Sequence, residues 1–283
     1  MNTQHNRLFA NRSLGGLSNR LNKAIVVKLG GVAFSSSDTT IEDIVNLQRQ
    51  GKLLVVVHGG GKLITEWLAK QGIPSRFVQG ERVTDRATLE VAISVLAGLV
   101  NKEIVAAINS LGGQVVGISG VDGALIQSEV KNVELGYVGR VVKVNLAPLE
   151  ALLQSGYIPV VAPLGLCSGS GADQASQILN LNADVIAGEI AVAIGAEKLI
   201  FLTDVVGVCD QQGKLLPQLS PSEAEALMVS GVASGGMIPK IKACLRALPD
   251  TSTTCIIDGR QPHSLFKNIE EGGGGTIIKG GLK

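Results

Sequence analysis

The sequence is poor in aromatic side chains: Phe, Trp and Tyr make up 3% of its 283 residues. The hydrophobic fraction is nevertheless 45%, so the core must be built mainly from Val, Ile, Leu and Ala. Such aliphatic cores are typical of helices packed against a parallel sheet. The length allows one large α/β domain or two lobes.

The sequence also lacks a surplus of charge and any closely spaced cysteines. Its formal net charge of +1 gives no indication of the basic surface that binds nucleic acid, and we expect no such partner. The four cysteines lie far apart, without a C-x-x-C pair (Cys167, Cys209, Cys244 and Cys255). This spacing favours buried thiols in a reducing compartment over disulfides or metal ligands.

No apolar run approaches the length of a membrane span. The longest, residues 91–100, is about half of the roughly 20 residues required. The N-terminus has no apolar signal core, so we expect a cytoplasmic protein without a membrane partner. Residues 1–23 carry four basic side chains and no acidic one. We interpret them as a disordered N-terminal arm, with an organelle transit peptide as the alternative.

Short apolar runs alternate with amphipathic stretches. Residues 24–29 and 53–58 predict strands, and residues 40–50 and 62–71 predict the helices that follow them. The repeated unit indicates an α/β fold, a three-layer α/β/α sandwich with a mainly parallel central sheet. Strand–helix units restart near Gly195, which predicts an N-terminal lobe (24–194) and a C-terminal lobe (195–283).

A long helix is predicted from Thr84, its expected N-cap, to about Ser110. It is apolar on most of its circumference, and such a helix is buried on two sides. We therefore expect one side to face a second subunit in a homodimer.

Glycine runs follow apolar runs at three places, Gly30-Gly31, Gly59-Gly60-Gly61 and Gly235-Gly236. Glycines at a strand–helix junction expose backbone N–H groups, and the helix dipole adds partial positive charge, so anions can bind there. Each run taken alone is better explained by ordinary turn chemistry than by a ligand. The string HGGGK (58–62) matches neither the Walker A motif nor the G-x-G-x-x-G dinucleotide motif.

Four charged residues stand out near these glycines. Lys28 lies inside an apolar strand, where an ammonium group needs a counter-charge or a bound anion. Lys240 follows Gly235-Gly236, and taken alone it is better explained as a snorkelling or ion-paired lysine than as a functional one. Asp184 either caps a helix or holds both lysines over a polyanion. Arg82 suits a bidentate carboxylate contact, unless it pairs with neighbouring acids on the surface.

The chain resembles the N-acetylglutamate kinase family, within the amino-acid kinase fold. Eleven short motifs occur in order from about residue 24 to the end: VVKLGG (26–31), VVVHGGGK (55–62), QGERVTD (79–85), GLVNK (98–102), VGISGVDG (116–123), LGYVG (135–139), YIPVVAP (157–163), LNLNAD (179–184), EKLIFLTDVVGV (197–208), GGMIPK (235–240) and IIDGRQPH (256–263). The resemblance implies transfer of the ATP γ-phosphoryl group to the side-chain carboxylate of N-acetyl-L-glutamate, the second step of arginine biosynthesis by the acetylated route.

The resemblance also implies roles for individual residues. Lys28 and Lys240 match the lysines that stabilise the phosphoryl group in transit, and Asp184 matches the acid that positions both. The implied substrate-binding residues are Gly60, Gly61, Arg82 and Asn180; the implied phosphate-binding residues are Gly30 and Gly31; the implied nucleotide-binding residues are Thr203, Asp204, Gly207, Gly236 and Met237. Mg²⁺ would arrive with ATP, held mainly by the nucleotide rather than by a protein site. The N-terminal lobe would bind acetylglutamate and form the dimer, and the C-terminal lobe would bind ATP.

Two departures from the family pattern weigh against arginine feedback and against a hexamer. The stretch HSLFKNIEEGGGGT (263–276) lacks a Leu-rich, Glu-containing helix, and the N-terminal arm has no clear amphipathic helix. Two alternative functions stay open from the sequence. One is a kinase for carrier-bound aminoadipate or glutamate in lysine biosynthesis, and the other is a non-catalytic ligand sensor on the same scaffold.

Overall fold

The computed structural model of the chain describes residues 21–30, 39–168 and 177–280. Gly31, residues 1–20 of the predicted arm and residues 169–176 lie outside the described residues. The strands are β1 Ile25–Leu29, β2 Leu54–His58, β3 Phe77–Val78, β4 Glu81–Arg82, β5 Val115–Gly120, β6 Ile126–Val130, β7 Gly139–Val144, β8 Ile158–Cys167, β9 Ile178–Asn180, β10 Lys198–Thr203, β11 Gln218–Leu219, β12 Thr253–Asp258 and β13 Thr276–Ile278. The helices are α1 Thr40–Arg49, α2 Gly61–Lys70, α3 Arg86–Ser110, α4 Ala147–Gln154, α5 Ala183–Ile194, α6 Pro221–Val229, α7 Met237–Ala247 and α8 Ser264–Glu271.

A single large sheet organises the part of the chain that the structure describes. Its strand order is β11-β13-β12-β10-β1-β2-β8-β6-β7, and β5 and β9 also pair with β8. The central pairs β12–β10, β10–β1, β1–β2 and β2–β8 are parallel. β3 and β4 form a separate two-stranded hairpin. The predicted α/β fold with a mainly parallel sheet is confirmed.

Alternating side chains of the central strands feed two separate cores. On β1, Ile25, Val27 and Leu29 pack with α1, α3 and α8, whereas Val26 packs with α5 and α7. Successive strand residues point to opposite faces, so Lys28 lies on the same face as Val26 and is directed toward α5. By the same alternation, His58 at the end of β2 lies on the face covered by α3.

The helix α3 differs from the sequence-based expectation in two respects: its length as an apolar helix and the composition of its outward face. It runs unbroken for 25 residues and is long and apolar enough to span a membrane by length and composition alone, although the longest apolar run in the sequence is much shorter. One face packs in the core through residues such as Val95, Leu96 and Ile104, as in the core helices of globular folds. The opposite face is mixed rather than apolar, since Leu99 shares it with exposed Lys102 and Glu103.

Several local predictions differ from the structure. Asp85, not Thr84, caps α3, because its backbone is extended and its carboxylate accepts from the Thr88 N–H group. The helix α8 was not predicted from the sequence, because no usual N-cap residue precedes it. The residue at its N-cap position is His263, which has a left-handed backbone (φ of 56°) and makes no side-chain capping hydrogen bond. β9 was also missed, because three residues give too little alternation to detect.

Candidate active site

Asp184 joins two lysines at the carboxyl edge of the sheet. Its Oδ1 lies 2.7 Å from Lys28 Nζ, and its Oδ2 lies 3.0 Å from Lys240 Nζ. All three side chains are largely buried, with exposed fractions of 9% for Lys28, 7% for Asp184 and 16% for Lys240. Within the described residues Lys28 makes only this ion pair, so its ammonium group keeps donors for an anion.

Local sequence places these three groups together. The Asn182 side chain caps α5 by accepting from the N–H groups of Asp184 and Val185, which sets Asp184 in the first turn, where an acid is favoured. Gly188 allows α5 to approach α7 closely, since a Cβ there would meet Ala243 at 3.2 Å. Lys240 lies in the first turn of α7 and therefore reaches Asp184.

Burial and the neighbouring charges together determine the pKa values of Asp184 and Lys28. Burial by itself would raise the pKa of Asp184, but the Lys28 and Lys240 ammonium groups hold it below the usual value. Burial lowers the pKa of Lys28, and the Asp184 carboxylate opposes that effect. The cluster carries two positive charges and one negative charge, so it attracts an anion.

The glycine turn after β2 lies beside Lys28. A Cβ at Gly59 would come 3.9 Å from Lys28 Nζ, and one at Gly60 would come 2.7 Å from Leu96 Cδ2, so a side chain at Gly60 would displace the buried Leu96 side chain. Gly61 begins α2, and the N–H groups of Gly60 and Gly61 have no acceptor among the described residues. Unpaired N–H groups at a helix start bind anions.

Gly30 ends β1 next to the end of β10. A Cβ there would lie 2.6 Å from the Leu202 carbonyl oxygen, so only glycine fits this approach. Its predicted companion Gly31 lies outside the described residues, and its predicted role stays untested.

Arg82 is buried without a carboxylate partner in the described part of the chain. It donates from Nη1 to Ser75 Oγ (2.9 Å), and from Nη2 to the Gly61 carbonyl oxygen (2.8 Å) and Thr65 Oγ1 (2.7 Å). Its guanidinium carbon also stacks 4.7 Å from the Phe77 ring centroid. The neighbouring acids are engaged elsewhere, since Glu81 pairs with Lys131 and Asp85 caps α3. The surface-pair alternative for Arg82 is therefore wrong, and its positive charge is available to a ligand.

A small cavity of about 240 Å³ connects these groups. Its lining includes Lys28, the three glycines 59–61, Arg82, Asn180 and Asp184. Asn180 Nδ2 donates to Thr84 Oγ1 at 3.2 Å, so β9 and the start of α3 meet at the cavity wall. The cavity thus has cationic groups at separate positions, suited to a small ligand with more than one anionic group.

The predicted nucleotide residues form two groups. Thr203 ends β10, and Asp204 and Gly207 follow it; the Thr203 hydroxyl lies 2.9 Å from the Val205 carbonyl oxygen and 3.1 Å from that of Ile257, either of which can accept its one proton. Gly236 and Met237 form the start of α7, and Gly236 lines a larger cleft of about 710 Å³ that adjoins the small cavity at Asn182. Burial lowers the pKa of Lys28, and the Asp204 carboxylate is close enough to oppose that effect slightly, as Asp184 does more strongly.

Metal-ligating side chains do not cluster in the described residues: groups of three or more His, Cys, Asp or Glu that could hold an ion are absent there. The acid at the site, Asp184, is already engaged by two lysines. This donor set suits an ion that is carried by substrate phosphates, as Mg²⁺ often is.

Sequence reasoning missed three residues that hold the site together. Ser75 and Thr65 fix the Arg82 guanidinium, but hydroxyl groups in a loop and on an exposed helix carry no sequence signal. Asn101 of α3 is the third residue, because its amide contacts the ring of His58, which directly precedes the glycine turn. A single Asn inside an apolar helix was the sequence signal that could have indicated it.

Comparisons with known proteins agree with this geometry. A model of the amino acid kinase family matches residues 23–258. The chain is 46% identical over 259 residues to the acetylglutamate kinase of Dehalococcoides mccartyi, covering 92% of this chain and 95% of that protein. It is 48% identical over 267 residues to the acetylglutamate kinase of a Nostoc species, covering 91% and 88%. An N-acetylglutamate synthase structure from Neisseria gonorrhoeae aligns with a TM-score of 0.80 at 25% identity, covering 95% of this chain and 62% of that one.

Proposed function

Because this chain belongs to the amino acid kinase family, and its relatives at 46–48% identity are acetylglutamate kinases, we propose that it is an ATP-dependent acetylglutamate kinase. It transfers the γ-phosphoryl group of ATP to the side-chain carboxylate of N-acetyl-L-glutamate and forms N-acetyl-L-glutamyl 5-phosphate, in arginine biosynthesis. The observation that carries the proposal is the buried Lys28–Asp184–Lys240 cluster beside a small cavity that also contains Arg82.

The chemistry suits these residue types. A glutamate side chain has a pKa near 4.3, so the nucleophile is already ionised at about pH 7 and needs no general base. The difficulty is to bring two anions together and to hold charge that spreads over the transferring phosphoryl group. We assign that work to the Lys28 and Lys240 ammonium groups and to the N–H groups of Gly30, Gly31, Gly60 and Gly61.

The substrate and the nucleotide enter from different sides in this proposal. The α-carboxylate of acetylglutamate binds Arg82 and Asn180 in the small cavity, within the N-terminal lobe. ATP binds the C-terminal lobe at Thr203, Asp204, Gly207, Gly236 and Met237. Mg²⁺ accompanies ATP and neutralises its phosphates when bound.

The oligomer and the compartment complete the proposal. We infer a homodimer rather than a hexamer, with α3 of the N-terminal lobe at the interface, because Leu99 is only partly buried and belongs to neither core. We place the protein in the cytoplasm, where its substrates are soluble metabolites.

Trapping of the acyl phosphate tests the activity. Purified protein is incubated with ATP, Mg²⁺, N-acetyl-L-glutamate and hydroxylamine, and the hydroxamate is measured. Hydroxamate should form with wild-type protein, remain with the Lys62→Ala control, whose side chain is exposed, and be lost with Lys28→Ala. A well-folded protein that binds acetylglutamate but forms no hydroxamate would favour the ligand-sensor alternative.

A second assay separates free from carrier-bound substrates. Free N-acetyl-L-glutamate is compared with glutamate and aminoadipate that are attached through the amine to a small acidic carrier protein. We expect the free compound to have the higher kcat/KM by at least about tenfold, that is, about 1.4 kcal/mol in transition-state stabilisation. The opposite order would assign the chain to the carrier-bound class.

A further inference from the structure

His58 is the one buried histidine in the described residues, and the proposed reaction gives it no part. It is 1% exposed and lies at the end of β2, immediately before the glycine turn. Its Nδ1 lies 2.8 Å from the Gly59 carbonyl oxygen, and its Nε2 lies 3.3 Å from Asn101 Nδ2. Both ring nitrogens are therefore engaged.

The partners define the tautomer. A carbonyl oxygen only accepts, so Nδ1 carries the proton and donates to Gly59. Nε2 is then an acceptor, and the Asn101 amide donates to it. Burial is the largest cause that lowers the pKa of His58, to about 4; the Gly59 hydrogen bond opposes it, and the charges of Lys28 and Lys102 lower the pKa by smaller amounts. The ring is therefore neutral at physiological pH.

Asn101 is itself rigidly held. Its Nδ2 also donates to the Val160 carbonyl oxygen at 2.9 Å, and its Oδ1 accepts from Lys102 Nζ at 2.9 Å. A Cβ at Gly117 would lie 2.0 Å from Asn101 Oδ1, so the glycine in the VGISG string leaves the space that the Asn101 side chain occupies. The polar end of the GLVNK string thereby anchors the His58 ring to β8.

The turns of α3 that precede Asn101 also contact the glycine turn 59–61. Residues Ser94–Val100 form a π-helical segment, a rare conformation that is frequent at functional sites. It ends directly before Asn101 and brings Leu96 against Gly60. α3 thus contacts the glycine turn through both an apolar and a polar residue.

Because the Gly59 carbonyl oxygen is held by His58, the geometry of the Gly59–Gly60 peptide fixes the direction of the Gly60 N–H group. The described chain has no cis peptide bond, and in a planar trans peptide the carbonyl C=O and the following N–H point opposite ways. Pulling the Gly59 carbonyl oxygen toward His58, on the α3 face, makes the Gly60 N–H point away from His58. Lys28 and Asp184, which line the cavity together with Gly60, belong to the face of the sheet opposite His58.

We propose that His58 and Asn101 are positioning residues of the phosphoryl-transfer site, which orient the Gly59–Gly60 peptide so that the Gly60 N–H donates to the substrate or the transferring phosphoryl group. This proposal rests on the proposed kinase function. It assigns no proton transfer to His58, which acts only through the peptide that it holds.

Variants at His58 separate positioning from packing. His58→Leu removes the Nδ1–H donor while keeping a buried side chain, whereas His58→Asn keeps an amide donor close to the Nδ1 position. We expect His58→Leu to lower kcat by about 100-fold, the size of effect seen for one misplaced oxyanion donor, with the acetylglutamate KM within about threefold. His58→Asn should restore kcat to within about tenfold of wild type.

Thr254→Val is the matched control for loss of a buried hydrogen bond. Its Oγ1 donates to the Ile278 carbonyl oxygen at the β12–β13 pair, away from the glycine turn. It should lower thermal stability while kcat changes less than twofold. Asn101→Ala provides a second test if His58→Leu does not fold, and it should lower kcat by about tenfold. Equal kcat values for His58→Leu and His58→Asn, or a wild-type kcat in either His58→Leu or Asn101→Ala, would overturn the positioning role.

A spectroscopic measurement keeps this proposal distinct from the kinase assignment. With ¹⁵N-labelled histidine, the resonance that is lost in His58→Asn should show the neutral Nδ1–H tautomer from pH 8 to pH 5. The Nε2–H tautomer, or titration near pH 6.5, would refute the positioning arrangement whatever the activity. Absence of phosphorylation by wild-type protein, with the expected tautomer present, would refute the kinase assignment alone.

Discussion

Lys28 of the central strand contacts Asp184 of α5 through an ion pair of 2.7 Å, and both side chains are nine-tenths buried. A buried ion pair contributes little net stability, but removing one partner leaves an uncompensated charge. The contact therefore serves to keep an ammonium group at a place where sheet packing alone would exclude it.

Replacing Asp184 tests this relationship. Asp184→Asn keeps the shape but leaves Lys28 and Lys240 without a counter-charge, so we expect a loss of about 3 kcal/mol in unfolding free energy. Urea unfolding at pH 7 measures it. Added sulfate should restore part of the stability, because an anion can replace the carboxylate. Wild-type stability without added anion would show that the two lysines do not depend on Asp184.

The two lysines should act on the transition state rather than on substrate binding. Lys28→Ala and Lys240→Ala should each lower kcat by about 10²- to 10³-fold, because their charge is needed most when the phosphoryl group is in transit. Steady-state kinetics with varied acetylglutamate measures kcat and KM separately. The exposed Lys62→Ala is the control, and a change confined to KM in the lysine variants would contradict the assignment.

Much of this arrangement was predictable from the sequence, for a physical reason. A lysine inside the apolar run AIVVKL needs a counter-charge, which pointed to Lys28, and the cap residues of NLNAD pointed to Asp184 at a helix start. The sequence could not predict that Gly188 lets α5 and α7 approach closely, nor that Ser75 and Thr65 would fix Arg82. Both depend on distances between elements, which local patterns do not encode.

Arg82 should contribute to substrate affinity. Its guanidinium group has neutral partners only among the described residues, so a substrate carboxylate would gain a charge-assisted contact worth about 1.5–3 kcal/mol. Arg82→Ala should raise the acetylglutamate KM by about 10- to 100-fold while kcat changes little. Arg86→Ala, which removes an exposed arginine four residues along, is the control. An unchanged KM would assign Arg82 to holding Ser75 and Thr65 instead.

Leu99 should control the oligomeric state. It lies on the outward face of α3 next to Gly98, and a charge there would have to be buried in a dimer that uses this helix. Light scattering should give a mass of twice 29.3 kDa for wild type and 29.3 kDa for Leu99→Glu. Val229→Glu, at an apolar residue that is 89% exposed on α6, should stay dimeric. A dimeric Leu99→Glu protein would exclude α3 as the interface.

His58 should make the stability of the fold depend on pH between about 6.5 and 4. Burial lowers its pKa to about 4 in the folded protein, below the ordinary value of 6.5. The unfolded chain therefore binds a proton that the folded chain does not in this window, so stability is complete above pH 6.5 and falls as the pH drops, by up to about 1.4 kcal/mol per unit. His58→Asn cannot titrate, and its unfolding free energy should fall less steeply across this window. Carboxyl groups with lowered pKa values, such as Asp184, lose their contribution only below about pH 3.8 and affect both proteins alike. Urea unfolding at pH 7, 6, 5 and 4.5 measures the two slopes, and identical slopes would mean that His58 is not buried as a neutral ring.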